Sequence, residues 1–224
     1  MKNIFYTVLV FALIIGAACI GARISQMREN DYNSIHNVVV MERQTRIRHA
    51  YDELADCYWP DATVATSWTR GTIADFLAGN NNRTEASDDE VIVGRNGAPV
   101  IHINGNRAWV ELPTTAQHWI HVNGERAIWT SHMRLIYRVE KRDGKWKIAD
   151  MTSVFEKDML SPVIPGTDLH INPMDLSGLR PSYMWMAYVR KVTGGNVDDN
   201  LIGTDRPADI ELLYRETLAW VTGK

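Results

Sequence analysis

The chain has 224 residues, a formal net charge of −3, 45% hydrophobic and 23% charged residues, which fits one globular domain with a sizeable core plus appendages. No cluster of Lys and Arg forms the basic stripe that a phosphate backbone requires, so the composition argues against a nucleic-acid partner. Eight Trp and eight Tyr supply large apolar faces that suit a ligand cavity as well as a core.

The first element reads as a leader. Lys2 precedes an uncharged run over residues 4–22 that ends at Arg23, a charged n-region followed by an apolar h-region. Gly16, Ala17, Ala18, Gly21 and Ala22 are small enough for signal peptidase, yet the run approaches the roughly 20 residues that span a bilayer. Residues 1–22 are therefore read as a signal peptide or as an uncleaved signal anchor, and both remain open. Either way the rest is expected outside the cytoplasm: secreted, periplasmic or anchored by this membrane segment. Cys19 follows Ala17-Ala18, but Gly16 stands where a lipoprotein signal prefers a larger aliphatic residue. Without the leader only Cys57 remains, so no internal disulfide can form and packing must hold the domain. Cys57 reads as a small buried hydrophobe.

Residues 23–33 are polar and read as a linker, with Ser34 as a helix cap. Ile47, Tyr51, Leu54 and Tyr58 are spaced four, three and four, one face of a helix that Pro60 stops. A short strand follows over residues 64–68, then a short helix over residues 73–78 closed by Gly79. Residues 80–90 form a polar loop with the sequon Asn82-Arg83-Thr84. Four strands are expected over residues 99–103, 107–115, 128–138 and 146–155, with turns at Asn104-Gly105-Asn106, Asn123-Gly124-Glu125 and Asp143-Gly144. Asp-Gly between two β-rich runs is a strong hairpin signal, because Gly takes φ > 0 at no steric cost.

The tail changes character. Pro162, Pro165, Pro173 and Pro181 interrupt an irregular stretch, and helices are expected over residues 182–192 and 205–221. Pro207 and Asp209 suit the first turn of the last helix. The fold class read from this order is α+β: a highly curved antiparallel sheet forming a cone around an N-terminal helix, with a C-terminal helical extension. The domain bounds are 1–22 leader, 23–33 linker, 34–160 cone domain and 161–224 extension with two helices.

Three stretches carry a family resemblance. They are Tyr51-Asp52-Glu53-Leu54-Ala55-Asp56-Cys57-Tyr58-Trp59-Pro60-Asp61-Ala62, the hairpin Glu140-Lys141-Arg142-Asp143-Gly144-Lys145-Trp146-Lys147-Ile148, and the tail from Arg180-Pro181-Ser182-Tyr183 through Gly203-Thr204-Asp205-Arg206-Pro207 to Trp220. Together they resemble the SnoaL-like branch of the nuclear transport factor 2 superfamily. The resemblance implies a sheet cone with an apolar pocket. It also implies a choice among dehydratases, isomerases, polyketide cyclases and non-catalytic binding or scaffold domains.

Family dehydratases use a Tyr and an Asp of the first helix and a His on the strand side. The resemblance carries the Asp to Ile47, the Tyr to the neighbourhood of Glu42 and the His to Gly94, so none of the three residue types is kept. Other titratable groups are the candidates for acid–base work: Asp56 and Tyr58 at the helix end, with His132 on a strand. Tyr51, Trp68, His118 and Arg134 are candidate ligand contacts. His118-x-x-His121 lacks converging partners, so no metal is expected. No phosphate loop or Gly-x-Ser-x-Gly elbow occurs, and no cofactor is implied. Two functions follow. One is a cofactor-free dehydratase, isomerase or cyclase acting on a small hydrophobic substrate. The other is a non-catalytic module that binds such a molecule or uses its outer sheet face to form a homodimer.

Overall fold

A computed structural model describes residues 21–79, 91–195 and 197–224 in full and residues 2–20, 80 and 81 by backbone alone. Most of the leader's side chains and the Asn82 sequon lie outside the described residues. Among the described residues no helix is long and apolar enough to cross a membrane.

The first helix, α1 (Lys2–Ile47), runs unbroken through the segment read as a linker. Gln26, Met27, Arg28 and Glu29 are good helix formers, and neither Gly nor Pro occurs between Gly21 and Pro60. Polarity there marks an exposed helix rather than a flexible joint. Ser34 caps nothing; its hydroxyl donates back to the Asn30 carbonyl at 2.8 Å. α1 ends where His49 takes φ 59. A single further turn, α2 (Tyr51–Asp56), follows, and the chain becomes strand β1 (Tyr58–Ala65). The helical spacing reaches Tyr58, but Pro60 holds Trp59 extended and the aromatic pair favours a strand.

Next come β2 (Arg70–Thr72), α3 (Ile73–Asn81), β3 (Val91–Asn96), β4 (Val100–Asn104) and three long strands, β5 (Arg107–Val122), β6 (Glu125–Arg142) and β7 (Lys145–Pro162). The spatial order is β2-β1-β7-β6-β5-β3, and β4 also pairs with β5. The curved sheet is open and mixed rather than purely antiparallel. β1 lies parallel to β7, as does the short β8 (Ile202–Gly203). The Asn123-Gly124 and Asp143-Gly144 turns both have two successive residues at positive φ (51 and 88; 49 and 78), the geometry that matches the twist of the flanking strands. Register shifts between His132 and Met133 and between Arg138 and Val139 bend β6 against β7.

The two sheet faces have different covers. On the inner face Ile35 and Val39 of α1 pack against Val110, Leu112, Leu135, Tyr137 and Met151. On the outer face α5 (Pro207–Thr222) seats Leu213 against Ile136 and Val154. α5 thus occupies part of the surface on which homodimer pairing is expected. α4 (Met184–Val192) covers the far end of the sheet, packing Tyr188 and Val189 on Val122 and Ala127. Buried Asp158 of β7 accepts from the Trp185 and Met186 amides at 3.1 and 2.7 Å, so a distant strand residue caps α4.

Candidate functional site

A cleft of about 770 Å³ opens between α1 and the β3–β4 edge, a volume within the range of small-molecule sites. Tyr32, His36, Val40, Gln44 and Ile47 line its helical wall, and residues 92–99 line the other. The helical residues recur every three or four positions, so they form one stripe along α1. No Asp or Glu is among the described lining residues. Gly94 brings the two walls together: the first carbon of any side chain there would run into Ile47 Cδ1. A smaller hollow of about 320 Å³ is lined by Trp68, residues 66–70, Val197 and Asp198.

Behind the cleft lies a buried charge cluster. Ile35, Val39, Glu42 and Arg46 follow one another at spacings of four, three and four, which carries Glu42 onto the core stripe of α1. Glu42 is fully buried. It accepts hydrogen bonds from Tyr58 Oη at 2.9 Å and Tyr137 Oη at 2.8 Å and forms an ion pair with Arg46. Burial pushes the carboxyl up, but the charges of Arg46 and Arg43 and the bonds from Tyr137 and Arg46 outweigh it, holding Glu42 below the usual carboxylate range. Burial, then the Glu42 charge, drives both tyrosines well above theirs. They are therefore neutral donors to a fixed carboxylate. A low-pKa carboxylate already engaged by three donors is a poor proton acceptor. The same causes push the buried Cys57 thiol up to about 12, so it is not a thiolate nucleophile.

Arg43 sits in the same cluster with 5% of its surface exposed. Its Nε is buried without a hydrogen-bond partner. Burial and the repulsion of Arg46 lower its pKa despite Glu42.

Residues 30–152 match the SnoaL-like domain family. The chain belongs to that family. An uncharacterised protein of Emericella nidulans is 28% identical over 189 residues, covering 78% of this chain and 79% of its own. Pea pathogenicity protein 2 of Fusarium vanettenii is 23% identical over 146 residues, 65% of this chain and 63% of its own. Among solved structures, a type 2 hexachlorocyclohexane dehydrochlorinase superposes with a TM-score of 0.50 at 15% identity, covering 68% of this chain and 97% of that one. That likeness concerns the fold.

Within this SnoaL-like fold, Ile47 and Gly94, the positions to which the resemblance carries the helix carboxylate and the imidazole, face each other across the cleft. Both positions are apolar.

The other candidates are dispersed. Tyr58 lies in the Glu42 cluster. Asp56 has a 90% exposed side chain 3.8 Å from Lys147. His132 meets the Thr115 hydroxyl at 3.0 Å and lies opposite Lys157. Lys147 and Lys157 are ten residues apart on β7, on the order of 30 Å, so Asp56 and His132 are not brought together. His132 also alternates with core-facing Met133, which turns it to the outer face with Arg134. Arg134 donates to Tyr214 Oη at 2.6 Å and pairs with Glu156 at 2.8 Å. His118 stacks on Trp129 at 4.4 Å near α4, Trp68 stacks on Phe76 at 4.7 Å, and Tyr51 Oη lies 2.7 Å from His49 Nδ1. Glu42, Arg43, Arg46 and the cleft residue His36 are missing from the sequence-derived set. The signal for the first was present: a carboxylate at an apolar-stripe position is a buried-charge cue.

Proposed function

We propose that this SnoaL-like chain is a binding module that holds a small hydrophobic molecule in the cleft between α1 and β3. The observation that carries the reading is the contact of Ile47 with Gly94 in a cleft whose described lining holds no carboxylate. The two positions to which the resemblance carries a carboxylate and an imidazole are apolar, and Val40, Ile47, Ile92 and Pro99 offer apolar contact. The leader supports an extracytoplasmic address, secreted or tethered.

The test is titration of purified protein with N-phenyl-1-naphthylamine, a neutral apolar fluorophore. Saturable enhancement is expected, and Gln44→Trp, a change at an exposed cleft position, should abolish it. No saturable binding of any apolar probe would overturn the reading. A second reading, a cofactor-free dehydratase, isomerase or cyclase, is favoured by His36, an imidazole on the cleft wall one turn from Tyr32. Turnover of hydroxylated polycyclic, ketone or chlorinated substrates that disappears in His36→Gln would establish it instead.

A further inference from the structure

The buried cluster does not balance its charge. Arg43 and Arg46 contribute two positive charges and Glu42 one negative charge, while Tyr58, Tyr137 and Cys57 stay neutral because burial raises all three. Glu42 already engages Arg46 and both tyrosines. Arg43 is the surplus cation. It has no hydrogen-bond partner among the described residues, and its Nε is fully enclosed. A buried guanidinium left this way is costly and calls for a partner that the described residues do not supply.

Its position indicates where that partner would sit. Arg43 follows Val40 by three residues and precedes Ile47 by four on α1, and both neighbours line the cleft. Arg43 Nη2 lies 3.9 Å from the point where a side chain at position 94 would begin. The Ile47 side chain fills that point, so Arg43 lies just behind the Ile47–Gly94 contact of the cleft wall, and a ligand reaches it where Ile47 Cδ1 turns aside. Arg95 and His36 also line the cleft, and no acidic side chain is among its described lining residues.

Resting on the binding function proposed above, we infer that the ligand is a small apolar acid whose anionic head pairs with Arg43 while its body lies along Val40, Ile47 and Ile92. The guanidinium fork suits a carboxylate, which it can engage by two parallel bonds.

The experiment compares 2-naphthoate with 2-naphthylmethanol, matched in body and differing in head, each competing against the neutral fluorophore. Wild type should bind the acid at least about tenfold more tightly, the lower end of what a charge-assisted hydrogen bond contributes. Arg43→Met should erase that preference and leave alcohol binding intact. Arg43→Lys, which keeps the buried charge if the methionine variant does not fold, should retain a reduced preference. Arg95→Met should leave it in place. Equal affinities in wild type would sink the inference while sparing the binding function. Binding of neither compound would sink both. Loss of the preference in Arg95→Met alone would move the head to Arg95 and overturn the role of Arg43.

Discussion

The sheet carries an Arg–Tyr–Glu network on each face, and the two differ chiefly in water. Inside, Arg46, Tyr58, Tyr137 and Glu42 are tied together with Glu42 at 0% exposure. Outside, Arg134, Tyr214 and Glu111 repeat the residue types: Tyr214 donates to Glu111 at 2.5 Å and accepts from Arg134 at 2.6 Å. There both the Arg134 and Glu111 side chains are 22% exposed. Charges in the dry interior interact strongly and are intolerant of losing a partner. Charges under α5 are screened and replaceable. The same chemistry therefore anchors the core on one face and only trims helix docking on the other.

The sharpest way to break this contrast is Glu42→Gln. It strips the counter-charge from two buried guanidiniums and should cost about 3–5 kcal/mol in urea unfolding; a loss under about 1 kcal/mol would mean that water reaches the cluster. A matched pair of hydroxyl deletions comes next. Tyr137→Phe removes a buried donor to a charge and should cost about 1.5–3 kcal/mol. Tyr214→Phe should cost less than about 1 kcal/mol, with a dependence on salt that the inner variant lacks. Similar losses for both would erase the distinction.

Acid provides the smallest and most selective probe. The hydrogen bonds of Arg180 hold Asp205, in the C-terminal extension, down from 3.8 to about 2. A carboxyl whose folded pKa is depressed stabilises the fold above its unfolded pKa and loses that contribution as pH falls through the folded one. Asp205→Asn should therefore remove about 1–2 kcal/mol at pH 7, after allowance for screening, and almost nothing at pH 2. Urea midpoints at the two pH values check this; an equal loss at both would assign the effect to packing.

The fold was legible wherever local chemistry and tertiary context agreed. Asp143-Gly144 and Asn123-Gly124 form the hairpin turns their residues require. β3 is hard to read from the sequence because Gly94 interrupts its β-branched run, although Val91, Ile92 and Val93 precede it. Polar residues 23–33 read as a linker because exposure and irregularity look alike in composition; only their helix propensity separates them. The site was less legible. Tyr58 was selected, but its partner Glu42 is 16 residues away, and Tyr137 is 95 residues from that same carboxylate. Such pairings arise when α1 is laid on the sheet, and no local pattern encodes them. The titratable ring of His132 marks it as an acid–base candidate, yet strand alternation points it away from the core.

Asp158 has a consequence for how the molecule assembles. α4 has no cap of its own at Tyr183 and borrows one from the end of β7. Its start is therefore secured only where Asp158, near the end of the last long strand, is in place. A nascent chain paused shortly after Pro162 would present Val122, Ala127 and Phe155 bare. Without α4, that end of the sheet is an adhesive apolar surface.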